Sequence, residues 1–269
     1  MQAKIVRVVL FILLYLHNIE ASEHKVLTSF SLVTMHMDYR EYANDGEILD
    51  SEQSNFTELN GFYTDFAFYI DERETEASKI VFTLLALSGT TDYVGSYLGS
   101  TSGYGSLKSE TINYIYDLSL AFEEEFYVDD EIQLQGGVAL GYYFWDRELS
   151  VYQIEEYEWF STRFYGKLSY LINNKFILKT SLAYHYALNP TMSVVDPAIT
   201  FNLGSVNVLK TKLQASYILN EKIDFILGYT YEYQVIEASD IEVYNGGVYY
   251  EPDSTSKNQY LEFGVRFKY

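Results

Sequence analysis

The chain ends in "YLEFGVRFKY" (residues 260–269), a run of strict alternation. Leu261, Phe263, Val265, Phe267 and Tyr269 fall on one face of an extended strand, and Tyr260, Glu262, Gly264, Arg266 and Lys268 on the other, because successive side chains of a strand point to opposite sides. One amphipathic strand occurs in soluble and membrane folds alike. The deciding question is whether the same period runs through the rest of the chain.

It does. Alternation recurs near residues 29–42, 59–71, 79–89, 111–123, 131–145, 157–172, 175–188, 206–219, 222–235 and 258–269. Each segment predicts a strand of roughly 11–16 residues, whereas strands in soluble proteins average about 5–6 and a tilted membrane-spanning strand needs about 9–11. The connections also alternate. "DERETEAS", "EEEFYVDD" and the pairs at 173–174 and 220–221 are short, and the stretches near 43–58, 90–110, 146–156, 189–205 and 236–257 are longer. An outer-membrane barrel has short periplasmic turns, longer surface loops and an even strand count. The predicted fold is therefore all-β, a ten-stranded antiparallel transmembrane β-barrel with short periplasmic turns and longer extracellular loops.

Composition agrees. The chain has 28 Tyr, 17 Phe and no cysteine, so thiol chemistry, disulfides and cysteine-based metal sites are excluded. The net charge of −20 argues against a nucleic-acid partner, which needs basic patches. The start, "MQAKIVRVVLFILLYLHNIEAS", places Lys4 and Arg7 ahead of a short apolar run and then the small residues Ala21 and Ser22. This reads as a secretory signal over residues 1–21, too short to span a bilayer as a helix, with a barrel domain over 22–269.

The two faces differ in kind. Near 131–145, Ile132, Leu134, Val138, Leu140, Tyr142 and Phe144 oppose Gln133, Gln135, Gly137, Ala139 and Gly141. Small residues on the polar face suit a crowded barrel interior better than a solvated surface. Strand 79–89 is apolar on both faces, so its register stays open. Aromatics sort by strand end. Tyr39, Tyr114, Tyr116, Tyr142, Tyr184, Tyr186, Tyr229, Tyr231 and Tyr233 group at the outer level, and Phe122, Tyr170, Phe176, Tyr217, Phe225, Phe267 and Tyr269 at the other. Two aromatic girdles are what headgroup-level anchoring produces.

Charges on the polar faces are expected to fill the lumen in opposite-sign pairs, since buried charges are tolerated only with partners. The interior set reads Asp38, Arg40, Asp65, Asp117, Arg163, Lys167, Lys179, Lys210, Lys212, Asp224, Glu232, Glu262 and Arg266. Asp38, Arg40, Asp65, Arg163, His185, Lys210, Glu232 and Glu262 form the candidate polar cluster. The short turns bring Arg163 beside or diagonal to His185, and Lys210 likewise to Glu232. His36 and His185 read as lumen polar residues. No catalytic residue, cofactor or bound metal is assigned.

The last ten residues resemble the C-terminal signal strand of bacterial outer-membrane proteins. That resemblance implies recognition by the barrel-assembly machinery through Leu261, Phe263, Val265, Phe267 and Tyr269. The strand count also resembles the omptin proteases, outer-membrane enzymes with an Asp–His couple and an Asp pair at the outer rim. His185 lies where an omptin histidine would. Ala183, however, stands where the family carries its acid, and Asp92 is single where the family has a pair. The expected environment is outer-membrane lipid and lipopolysaccharide. The acidic loops offer carboxylates to divalent cations, although no segment matches an EF-hand loop and exposed carboxylates ordinarily stay solvated. The sequence supports a non-enzymatic envelope or surface-binding role first, a narrow channel second and a rim hydrolase third.

Overall fold

The computed structural model describes residues 25–96, 103–150, 153–195 and 198–269; the expected signal segment lies outside them. The elements are β1 (Val26–His36), β2 (Asp38–Tyr42), β3 (Ile48–Gln53), β4 (Leu59–Glu72), β5 (Glu76–Gly95), β6 (Leu107–Tyr127), β7 (Ile132–Ser150), β8 (Gln153–Asn173), β9 (Phe176–Val194), β10 (Ile199–Asn202), β11 (Val206–Asn220), β12 (Ile223–Ile236), β13 (Glu242–Tyr244), β14 (Gly247–Tyr249) and β15 (Asp253–Lys268).

Among the described residues, ten strands close an antiparallel barrel in the order β1-β4-β5-β6-β7-β8-β9-β11-β12-β15. The terminal strand closes it. β15 pairs β12 on one side and β1 on the other, with Leu32 opposite Phe263 and Val33 opposite Glu262. Closure leaves no backbone edge facing hydrocarbon, which is the condition for a sheet to span a membrane. β2 and β3 continue the wall upward, β2 against β15 and β3 against β5.

The strands outrun their expected lengths. β5, β6, β7 and β8 have 19–21 residues each, so much of 90–110 and 146–156 is strand rather than loop. "EEEFYVDD" is a turn only in its second half; Glu123 and Glu125 lie within β6 and are buried. Acidic residues masked the strand, because their alternate members point into the lumen, where they meet lysines.

The exterior is apolar. Leu32, Leu120, Val138, Leu140, Phe164, Leu182, Leu227 and Phe263 are exposed. Tyr184, Tyr186 and Tyr229 lie exposed at the upper ends of this band, and Phe122, Tyr170, Phe176 and Phe267 at the lower. The interior is crowded, as the small residues suggest. A Cβ at Gly137 would overlap the Tyr165 ring, and one at Gly141 would overlap the Arg163 guanidinium.

The phase of the first strand corrects part of the sequence reading. Phe30 and Leu32 face outward, while Ser29, Ser31, Val33, Met35, Met37, Tyr39 and Glu41 are buried. Even-numbered residues here therefore lie outside. Asp38 and Arg40 are not lumen residues; they pair with each other on the outer wall, Arg40 Nε to Asp38 Oδ1 at 2.9 Å. His36 likewise leaves the interior, packing against Phe56 and bonding the Ser54 carbonyl. Tyr39 belongs inside, not to the girdle. At this height the outer wall faces water and headgroups, where a charged pair costs little.

Candidate functional site

The lumen is layered, and each strand reads out the layers. Down β8 from the outer mouth, the inward residues are Glu155, Tyr157, Trp159, Ser161, Arg163, Tyr165, Lys167 and Ser169. Down β6 they are Thr111, Asn113, Ile115, Asp117, Ser119, Ala121, Glu123 and Glu125. The sequence of layers is charged, apolar, charged.

The lower layers hold the cluster expected from sequence. Arg163 stands directly opposite His185, and Lys210 directly opposite Glu232. Arg163 Nη2 meets Asp117 at 2.5 Å, and Lys210 reaches Glu232 at 2.7 Å and Asp117 at 3.4 Å. Glu232 also accepts from Asn258 and Tyr260 at 2.9 and 2.8 Å. Glu262 accepts from Ser31 at 2.8 Å and from Lys212 at 2.5 Å, and Asp65 accepts from Ser29. Six of the eight candidate residues thus converge, and Asp38 and Arg40 do not. Further down, Glu123 takes Lys167 at 2.5 Å and Lys79 at 3.1 Å.

Above this lies an apolar layer. Met35, Met37, Leu87, Ile115, Trp145, Tyr157, Trp159 and Ile236 are buried in one cluster. Tyr143 stacks on Trp159 at 4.4 Å, and Trp145 on Tyr157 at 4.9 Å. His185 lies beneath this layer, buried, with Lys210, Arg163 and Asp117 as its charged surroundings.

The upper layer was not legible in the sequence. Arg147, 1% exposed, stands among carboxylates from two hairpins, β2–β3 and β7–β8. Its guanidinium meets Glu41 and Glu155 at 2.8 Å each, binds Glu52, and faces Asp50 at 3.6 Å. The guanidinium also lies over Tyr39, with Cζ 5.0 Å from the ring centre. Glu251 accepts from Tyr157. Glu41, Glu52, Glu155 and Arg147 all fall in stretches read as loops or loop margins. The available signal was the unbroken inward period Tyr143, Trp145, Arg147 on one strand and Glu155, Tyr157, Trp159 on the next. Among the described residues, no cluster of three or more His, Asp or Glu has a metal-holding arrangement.

This upper layer lies above the Tyr184–Tyr229 girdle, outside the bilayer. Burial raises Glu41, the neighbouring Asp50 raises it further, and Arg147 pulls it down, leaving it at about 8. Burial also raises Asp50, Glu155 and Glu251. A carboxyl raised in the folded state binds its proton more tightly there than in the unfolded chain, so its contribution is present at low pH and lost as pH rises. For Glu41 the window is from about 4.5 to about 8. Unfolding free energy is expected to fall across that window by at most about 1.4 kcal/mol per pH unit for one such group. Glu41→Gln should flatten the slope. Urea unfolding in vesicles at pH 5, 7 and 9 checks this; a slope of the opposite sign refutes it.

The architecture matches known outer-membrane barrels. The outer membrane protease OmpT from Escherichia coli superposes with a TM-score of 0.58 at 12% identity, covering 91% of this chain and 97% of that one. The translocator domain of autotransporter NalP from Neisseria meningitidis gives 0.45 at 11% identity, over 99% and 95% of the chains. OprG from Pseudomonas aeruginosa gives 0.39 at 10% identity, over 91% and 95%. No family model matches the sequence, and no curated protein matches it. The chain is an integral outer-membrane β-barrel. Its ten-stranded architecture is omptin-like, and at this identity the likeness is one of fold.

Proposed function

We propose that this is a non-enzymatic surface protein whose closed barrel holds up a recognition surface at the outer mouth. The observation that carries this reading is the hairpin β13–β14. Among the described residues its strands pair only with each other, Val243 opposite Val248, around a turn at Asn245 and Gly246 with φ of 50° and 80°. Ile241, Val243 and Val248 are 67%, 70% and 66% exposed, and Tyr244, Tyr249 and Tyr250 add exposed rings. Apolar and tyrosine side chains displayed to water beyond the bilayer suit a contact surface.

The layered lumen weighs against a channel, because an apolar layer capped by an ion-paired arginine leaves no continuous polar path. It also weighs against a rim hydrolase built on His185, which lies under that layer. In the same reading, the carboxylates of the outer loops are offered to divalent cations bridging lipopolysaccharide. The outward row Leu261, Phe263, Val265, Phe267 and Tyr269 is the segment offered to the assembly machinery.

Two measurements test the proposal. In planar bilayers the purified chain should give no steady conductance, and discrete openings would refute the closed barrel. Nanodisc-embedded chain should bind specific members of a protein and glycan array. Joining residue 241 to residue 250 through a two-residue Asn-Gly turn should abolish those signals while heat-modifiable gel migration is kept. Signals that survive the deletion place recognition elsewhere.

A further inference from the structure

Beneath the apolar layer lies a cavity of about 280 Å³ whose lining carries seven Lys or Arg and four Asp or Glu. That excess is the reverse of the chain's overall charge of −20. Five of the cations have carboxylate partners: Lys79 and Lys167 on Glu123, Arg163 and Lys210 on Asp117, and Lys212 on Glu262. The other two are Lys179 and Arg266. Among the described residues neither forms an ion pair, and of the lining acids Asp65 alone has no cation partner, its carboxylate accepting from Ser29. Asp224, opposite Arg266 in the ladder, pairs with Lys268 at 2.7 Å, and Glu125 is taken by Lys79. Lys179 instead feels the repulsion of Arg266, Lys79 and Lys167.

A second observation points the same way. Ser169 is the direct ladder partner of Lys179 and lies on the same inward face. Its side chain is 4% exposed, and its hydroxyl has no hydrogen-bond partner. A buried donor with nothing to bind, beside the unpaired Lys179, is an incomplete anion site.

We propose that the lower lumen binds a phosphate group between Lys179 and Arg266, with the Ser169 hydroxyl as a further donor. With Asp65 as the one lining acid without a cation partner, a phosphate monoanion balances the positive charge that remains. The cavity has room for more than the bare ion, so a phosphomonoester fits as well as orthophosphate. The apolar layer closes the outer side, and Leu27, Lys79 and Arg266 belong to the periplasmic ends of their strands. Access is therefore from the periplasm. This inference is independent of outer-loop recognition and survives its failure.

The test uses the folded full chain in a neutral, phosphate-free detergent, with calorimetric titration of orthophosphate, glycerol phosphate and lysophosphatidic acid. Saturable binding to one site is expected, about tenfold or more weaker in Lys179→Gln and in Arg266→Gln. Lys175→Gln, at an exposed turn, should bind as the parent does. Binding of the soluble phosphates identifies a free solute, and binding of the lysolipid alone identifies a lipid headgroup; both support the site. The variants carry an internal check on folding. Removing one of two mutually repelling cations should raise the thermal midpoint without phosphate and abolish its further rise with phosphate. Lys179→Arg, which keeps the charge, should retain binding. No binding by the parent chain, or equal binding by both Gln variants, overturns the proposal.

Discussion

Arg147→Met is expected to lower the unfolding free energy by about 3–5 kcal/mol, the cost of leaving buried carboxylates without their counter-charge. Arg147 is the cation that Glu41, Glu52, Glu155 and Asp50 all face. Methionine restores bulk but not charge, so the like charges repel across a site that excludes water. The loss should grow with pH. At pH 5 the raised carboxyl of Glu41 keeps its proton and the uncompensated charge is smaller. At pH 9 it is ionised. Adding Glu52→Gln to Arg147→Met should recover part of the loss, as expected for groups acting as one network. Urea unfolding of the vesicle-embedded barrel at both pH values reads these effects. A loss under about 1 kcal/mol at pH 9 would mean that the carboxylates are solvated and the layer is open.

The second large effect tests the outer face. Leu182 is 56% exposed on β9, between Phe176 and Tyr186 of the two girdles. Leu182→Arg should cost about 2–4 kcal/mol, because a guanidinium near the bilayer midplane loses its hydration. The same exposure on a water-facing wall would leave the change within about 0.5 kcal/mol. Val243→Arg supplies that comparison within the same molecule. Val243 is more exposed than Leu182, but on the hairpin beyond the membrane, and should be neutral. Equal effects at the two positions would argue that both face water.

The strand pattern was legible because side-chain direction in a strand depends only on position parity. Nine of the expected segments align with one long strand each, and the first with β1 and β2 together. The short turns carried further information. Few linking residues leave few possible registers, so the Arg163–His185 and Lys210–Glu232 pairings were readable before any coordinates. The open register of the 79–89 segment needed its neighbours. Lys79, Val81, Thr83 and Leu85 turn inward because Lys79 has Glu123 and Glu125 to meet there.

Asp38 and Arg40 failed for an instructive reason. Charge marks the lumen only where the other face of the strand meets lipid. Above the girdle both faces are polar or buried, and parity from Phe30 and Leu32 decides instead. The Arg147 layer was hidden for a related reason. Its members come from residues 41–52, 147 and 155, and hairpin tips rich in acids look the same in sequence whether they are solvated or folded back on an arginine.

By itself, then, the sequence determined the β class, the strand count, the lipid-facing side and the pairs joined by tight turns, since each follows from local alternation and short-range connection. Only the tertiary structure decided how the lumen is layered, which cations lack partners and which hairpin stands free. Those properties depend on side chains far apart in the chain meeting across a closed barrel, and closure brings together residues that no local pattern relates.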